Sequence, residues 1–323
     1  MITFGPIPSR RLGRSLGINN IPPKVCSYSC VYCQVGRTIK MQVERQAFYE
    51  PEKLLEDVEK KITEVLKAGE SIDYLTFVPD GEPSLDVNLG REIDFLKPLG
   101  FKIAVITNAS LIWREDVRSE LTKADWVSLK VDAVNEDTWR IIDRPHRVLD
   151  VSLILDGMNE FARIFNGELV TETVLVKGIN DGHRHAEEVA DFLARLKPKK
   201  AYLSIPTRPP AETWVQPPEE DVLNAFYQIL DGKVKGVEYL IGYEGNRFTS
   251  LGNVEEDLLG ITAVHPMREE AVREFLARAR ADWSIIQRLI AQGMLLETEY
   301  EKNKYYMRRP PGRIGGAEQG ERP

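Results

Sequence analysis

Cys26, Cys30 and Cys33 lie within eight consecutive positions, in the run Val25-Cys26-Ser27-Tyr28-Ser29-Cys30-Val31-Tyr32-Cys33-Gln34, and are the only cysteines among 323 residues. This C-x3-C-x2-C spacing puts three thiolates on one short loop. Such a loop can grip three irons of a cubic [4Fe–4S] cluster and leave the fourth iron open. An open metal position is where a small molecule coordinates and reacts, as at a catalytic zinc. A structural zinc would want a fourth Cys or His nearby, yet His146, His183, His185 and His265 all lie more than a hundred residues further on. An odd number of cysteines cannot all pair, and three so close would strain any disulfide. Cysteine also serves as a small buried hydrophobe, but that role does not ask for clustering. The spacing therefore predicts an iron–sulfur cluster.

With Tyr32 as the aromatic, C-x3-C-x-aromatic-C resembles the signature loop of the radical S-adenosylmethionine (SAM) enzymes. The resemblance covers about residues 1–250. It implies that the amino and carboxylate groups of SAM chelate the open iron. An electron from the reduced cluster then cleaves the sulfonium to give a 5′-deoxyadenosyl radical, and a flavodoxin or ferredoxin would be the reducing partner. The opening Gly5-Pro6-Ile7-Pro8-Ser9-Arg10-Arg11-Leu12-Gly13-Arg14-Ser15-Leu16-Gly17-Ile18-Asn19 resembles the branch that includes the wyosine-base synthases acting on tRNA. Those enzymes carry further cysteines for a second cluster, which this chain lacks.

A chain of this length buries a large core and has room for more than one domain. No apolar run approaches the roughly twenty residues of a membrane span. The opening Met1-Ile2-Thr3-Phe4-Gly5-Pro6 has neither the basic start nor the apolar stretch of a signal peptide. Reduced thiols and an oxygen-sensitive cluster are expected in the cytoplasm. A net charge of −7 argues against wholesale electrostatic attachment to nucleic acid or anionic lipid, while allowing a local basic patch.

The elements that must position these residues alternate along the chain. Apolar spacing predicts helices over 51–69, 91–96, 115–123, 151–165, 186–196 and 218–230. Short apolar runs predict strands over 72–78, 101–106, 126–131, 168–176, 200–205 and 237–243. Repeated βα units imply parallel strands, and the family resemblance implies a partial (β/α)6 barrel over residues 1–250. A linker is expected over 251–260. Beyond it, helices over 266–279 and 283–292 and strands over 294–300 and 304–308 outline a small winged helix-turn-helix domain over 261–309, followed by a flexible tail over 310–323. The expected fold is thus α/β, an open barrel with a C-terminal winged helix.

Barrel sites sit at the C-terminal ends of the strands. The strand over 72–78 runs into Asp80-Gly81-Glu82-Pro83, which resembles the family's Gly-Gly-Glu-Pro motif for the SAM amino group, with Asp80 in place of the first glycine. A glycine there lets backbone approach a ligand, and the Glu82 carboxylate could accept from an ammonium. The next strand ends in Thr107-Asn108, which the resemblance places near SAM. Alternation puts Ser128, Lys130 and Asp132 on one face, and polar groups inside a barrel are costly unless they bind or pair. A Lys-x-Asp arrangement of this kind holds the SAM carboxylate and ribose in the glycyl-radical activating enzymes. Alternation groups Thr171 with Thr173 and puts Glu172 on the opposite face; either set can face the interior, and Thr173 is the candidate for SAM contact. Tyr32 and Ile205 are candidates to flank adenine. Arg10, Arg11 and Arg14 suit phosphate or a solvated basic loop equally well.

The substrate is less legible. Residues 261–323 carry a local charge of +2, and Tyr305, Tyr306, Arg308 and Arg309 mix aromatics with cations as single-strand binders do. RNA, tRNA above all, is the expected macromolecular substrate, with a peptide or glycyl-radical enzyme or a small molecule as alternatives.

Overall fold

The computed structural model describes residues 2–242, 245, 246, 248, 250 and 252–309; the expected tail over 310–323 lies outside them. The chain opens with an antiparallel hairpin absent from the sequence reading, β1 (Thr3–Ser9) and β2 (Gly13–Ile18). Its two prolines disguise β1, but an edge strand tolerates proline. Gly17 leaves room for the Phe4 ring, because a Cβ there would lie 2.0 Å from it.

Two short strands follow, β3 (Val25–Cys26) and β4 (Lys40–Met41), paired in parallel at the two ends of the cysteine loop. Helix α1 (Pro51–Lys67) starts on proline, where the missing N–H costs nothing, and buries Leu54, Val58, Ile62 and Val65 at helical spacing. The alternation then proceeds through β5 (Tyr74–Phe77), α2 (Leu89–Leu96), β6 (Lys102–Thr107), α3 (Glu115–Leu121) and β7 (Trp126–Lys130). It continues through α4 (Glu136–Ile142), α5 (Val151–Ile164), β8 (Glu168–Val174), α6 (His183–Leu196), β9 (Lys200–Ser204), α7 (Glu220–Asp231) and β10 (Val237–Leu240). Helix α4 escaped the sequence reading because seven residues are too few to display a period.

The large sheet runs β1-β2-β5-β6-β7-β8-β9-β10, and every pair from β2 onward is parallel. One face of the strands, with Leu75, Phe77, Ile103, Val105, Val127, Leu129 and Leu203, packs in the main core under the helices. The other face encloses a smaller cluster of Leu12, Ala104, Trp126, Val170, Tyr202 and Leu240 inside the barrel. Strands buried on both faces read as apolar runs rather than strict alternation. The β1–β2 turn reaches across the opening, where the Arg10 guanidinium donates to the Leu240 carbonyl at 2.8 Å.

Beyond the barrel come α8 (Val254–Val264), β11 (Met267–Arg268), α9 (Glu269–Arg278), α10 (Ser284–Ala291), β12 (Leu295–Tyr300) and β13 (Asn303–Arg308). The three strands form an antiparallel sheet in the order β11-β13-β12. Two expectations are corrected here. The linker over 251–260 is in large part helix: Asn253 caps α8 by accepting from the Glu256 N–H, and the helix is buried nearly all round, so no amphipathic stripe betrays it. The helix expected from Pro266 starts at Glu269, because Met267 and Arg268 pair with Tyr306 and Tyr305. Phe4 and Ile7 of β1 share one core with Leu258, Phe275, Leu289 and Leu295, so the N-terminal hairpin and the C-terminal module are built together. Among the described residues no helix is long and apolar enough to cross a membrane.

Candidate cluster and cofactor site

The cysteine loop is held from both sides. Val31 N–H donates to the Ile142 carbonyl at 2.9 Å and His146 N–H to the Ser27 carbonyl at 2.8 Å, so α4 and the segment after it cradle the loop. Trp139 donates its indole N–H to the Tyr28 hydroxyl at 3.2 Å. Lys24, 3% exposed, pairs with Asp80 at 3.0 Å and donates to the Val35 carbonyl. Glu212 accepts both Arg37 and Arg144, at 2.8 and 2.6 Å.

All three cysteines are free thiols and line one chamber of about 370 Å³. Burial pushes the Cys26 thiol up to about 12, with Glu82 adding to it. Burial, then Asp143, likewise raises Cys30, whose thiol donates to Asp143 Oδ1 at 3.3 Å. Thiols in such surroundings become thiolates when a metal supplies the positive charge. Among the described residues no three His, Cys, Asp or Glu side chains are grouped as ligands of one ion.

Below the cysteines the chamber wall carries charge. Lys130 Nζ lies 3.2 Å from Glu172 Oε1 and 5.6 Å from the Tyr32 ring centroid. Arg11 Nη1 donates to Glu172 Oε2 at 2.6 Å, and Ser204 Oγ donates to Oε1 at 2.9 Å. Burial alone would raise the Glu172 carboxyl, but Lys130 and Arg11 outweigh it and hold it well below the usual carboxylate range. Burial opposes the charge on Lys130, yet the Glu172 and Asp132 carboxylates keep its pKa raised.

The residues expected at the site divide in two. Cys26, Cys30, Cys33, Tyr32, Gly81, Lys130 and Ile205 line the chamber. The others are turned elsewhere. Glu82 is 1% exposed, and its carboxylate accepts from Ser84 N–H and Oγ, Thr107 Oγ1 and Asn108 N–H at 2.6–2.9 Å, so it braces two strand ends instead of facing an ammonium. Pro83 is buried, its carbonyl accepting from Asn20 at 3.2 Å. Asn108 Nδ2 reaches Ser27 Oγ at 3.0 Å and Cys26 Sγ at 3.5 Å, placing it behind the first cysteine. Ser128 is buried below Lys130, in register with Ile106 and Val170.

Asp132 accepts the Tyr32 hydroxyl on one oxygen and the Val174 N–H at 2.6 Å on the other, and so holds the aromatic of the cysteine loop. Thr173 faces away from the chamber and donates to the Val131 carbonyl at 2.8 Å; Glu172 takes the interior position. Arg11, Glu172 and Ser204 complete the wall, and the sequence offered no signal for their meeting.

The C-terminal module reaches the chamber. Val264 and His265 line the chamber. Gln34, next to the last cysteine, donates to the Val264 carbonyl at 3.0 Å and accepts from Arg208 at 2.8 Å, and Arg208 also meets His265 at 3.1 Å. Tyr305 and Tyr306 are each 1% exposed, their hydroxyls bound to the Thr207 carbonyl and to Glu297, so neither offers a face to a nucleobase.

Gly81 lines the chamber and also lies close against the cysteine strand. A Cβ there would sit 2.0 Å from the Val25 carbonyl oxygen, the group that accepts the Glu82 N–H at 3.2 Å. Gly81→Ala is therefore expected to push β3 off the β5 end, costing about 1–3 kcal/mol by overpacking. Denaturant midpoints together with iron content after reconstitution check this; both should fall.

A family model described as the radical SAM superfamily matches residues 20–199. A UPF0026 protein of Methanocaldococcus jannaschii is 48% identical over 310 residues, covering 95% of this chain and 96% of that one. Among solved structures, a radical SAM methyltransferase from Sphaerobacter thermophilus superposes with a TM-score of 0.55 at 18% identity, over 70% of this chain and 66% of that one. TYW1 with a lysine-pyruvate adduct bound superposes with a TM-score of 0.52 at 17% identity, over 68% and 74%. At these identities the likeness to the solved structures is one of fold.

Proposed function

We propose that this chain, which belongs to the radical SAM superfamily and to the UPF0026 family, is an enzyme that draws a small substrate into the barrel beneath its cluster. The superfamily's cofactors are a [4Fe–4S] cluster and SAM, and bound together they supply a 5′-deoxyadenosyl radical on one-electron reduction. In this reading Cys26, Cys30 and Cys33 hold the cluster, Tyr32 and Ile205 flank the adenine, and Lys130 meets the methionine carboxylate. Asp132 fixes Tyr32, and Glu82 fixes Asn108 behind Cys26. The observation that carries the small-substrate reading is the size of the chamber that Val264 and His265 help to line, about 370 Å³, near the low end of what one small ligand fills.

The electron comes from a partner, and a flavodoxin or ferredoxin is our proposal. Beside the cysteine loop Ile39 is 62% and Met41 38% exposed, with Arg37 and Lys40 alongside. An apolar patch edged by cations suits an acidic redox protein.

A second reading keeps the C-terminal module as a recognition element for RNA. Its order of helix, strand, two helices and two strands is compatible with a winged helix, and α10 leaves Gln287 and Arg288 exposed. Against it stand the buried Tyr305 and Tyr306.

One assay separates the readings. The reconstituted, reduced protein is given whole host-cell extract, its small-molecule filtrate, or extract treated with ribonuclease or protease, and 5′-deoxyadenosine release is followed. Stimulation by the filtrate that survives both treatments is the expected result. Loss with ribonuclease alone would establish RNA as the substrate, loss with protease alone a protein target, and no release under any condition would overturn radical SAM chemistry.

A further inference from the structure

Arg11 occupies a position that barrel closure does not explain. It projects from the β1–β2 turn into the barrel, with its guanidinium carbon 5.9 Å from the Trp126 ring centroid and 5.8 Å from that of Tyr202. Around it lie Leu12, Val170 and Leu240, an apolar layer that could be completed by another apolar side chain. A buried ion pair is commonly no more stabilising than well-packed hydrophobic residues of the same volume. A guanidinium in this layer, 14% exposed and facing the chamber, is therefore a cost that asks for a ligand.

The hydrogen bonding points the same way. A guanidinium carries five N–H donors in a planar fork. Among the described residues Arg11 spends one of them on an acceptor, Glu172. Glu172 is itself shared with Lys130 and Ser204, so one carboxylate serves two cations. Asp132 also faces Lys130, but its oxygens are committed to Tyr32 and to the Val174 N–H. The remaining Arg11 donors thus have no acceptor among the described residues, on a chamber floor flanked by the Trp126 and Tyr202 rings.

We propose that Arg11 is a substrate-binding residue: its free edge takes an oxyanion of the substrate, a carboxylate or phosphate, so that the enzyme acts on a small acid held at the barrel floor. This rests on the small-substrate reading above and adds the chemical class. A planar fork matches two oxygens of either group, and Glu172 keeps the fork oriented while the site is empty. Lys130, nearer Tyr32 and the cluster loop, is left for the cofactor's carboxylate, so two anions are held at two levels of one chamber.

The test uses cluster-loaded protein saturated with SAM, so that the cofactor's own carboxylate does not compete. Malonate, inorganic phosphate and neutral malonamide are titrated by calorimetry at constant ionic strength. Binding of malonate or phosphate, but not of malonamide, is expected, and the tighter of the two assigns the source as carboxylate or phosphate. Arg11→Lys keeps the charge pair with Glu172 but loses the fork, and should weaken that binding by about tenfold or more. The double variant Arg11→Gln/Glu172→Gln removes both members of the pair, with Lys130 left to the carboxylate of the saturating SAM, and should abolish it. Arg14→Gln, on the same hairpin but paired at the surface with Glu70, should bind as the wild type does. Equal anion binding by the wild type and both Arg11 variants would overturn the proposal. So would no binding to the wild type, or binding seen only without SAM. Release of 5′-deoxyadenosine by the wild-type protein is read separately, so failure of the radical chemistry and failure of the anion site are told apart.

Discussion

Replacing any one of Cys26, Cys30 or Cys33 by alanine is expected to abolish both the cluster and SAM cleavage. In the proposed reading three thiolates are the whole protein ligand set for three irons, and the chain has no other cysteine to substitute. Each variant, reconstituted anaerobically, should drop from about four irons per chain toward none, and 5′-deoxyadenosine release should fall to background. The fold should survive, because each cysteine is only partly buried and sits on a loop held by α4, Lys24 and Glu212. A variant that keeps its iron would show that its cysteine is not a ligand. A variant that loses its fold would show the cysteine to be a packing residue instead.

The largest expected effect on stability belongs to Glu172. Glu172→Ala removes the one carboxylate that Arg11 and Lys130 share inside the barrel, leaving two buried cations short of a partner. Breaking a buried pair in this way costs about 3–5 kcal/mol, which a denaturant titration near neutral pH would register as a lower midpoint. The loss should be largely relieved in the triple variant Arg11→Met/Lys130→Met/Glu172→Met, since apolar side chains of similar volume need no counter-charge.

The sign of the pH dependence follows from the depressed Glu172 pKa. Its ionised form is favoured by folding, so its contribution is fully present above the unfolded value of about 4.3. It is lost as pH falls through the lower folded value. The gap between wild type and Glu172→Ala should therefore stay level from neutral pH to about 5 and narrow below about 4. A gap that widens in acid would show that Glu172 is not held ionised.

Much of the barrel was legible because its helices carry their own period. Leu54, Val58, Ile62 and Val65 recur on one face of α1, and the strands between such helices stand out as short apolar runs. The hairpin β1–β2 was not legible: glycine and proline mask the strand pattern of β1, and what makes it a strand is its partner. Helix α8 is hidden for a different reason: after its acidic first turn it is buried on nearly every side, so it shows no stripe to detect. Tyr305 and Tyr306 looked like a stacking surface because aromatics beside cations suit nucleic acid; their burial depends on β11, α9 and the 206–207 segment packing over them.

By itself the sequence determined the metal chemistry. Cys26, Cys30 and Cys33 are so close along the chain that connectivity alone brings them to one loop, whatever the rest folds into. It also placed Lys130 and Ile205 at strand ends, where a parallel barrel puts its active site. Only the tertiary structure decided the rest of the wall. Whether Glu172 or Thr173 faces inward is a choice of strand parity, and a strand flanked by apolar residues on both faces gives no local preference. That Glu82 turns from the chamber to bind Ser84, Thr107 and Asn108 depends on how two strand ends register. The meeting of Arg11 with Glu172, 161 positions apart, arises because the N-terminal hairpin closes an open barrel. No short-range pattern encodes which charge a distant turn will deliver to its floor.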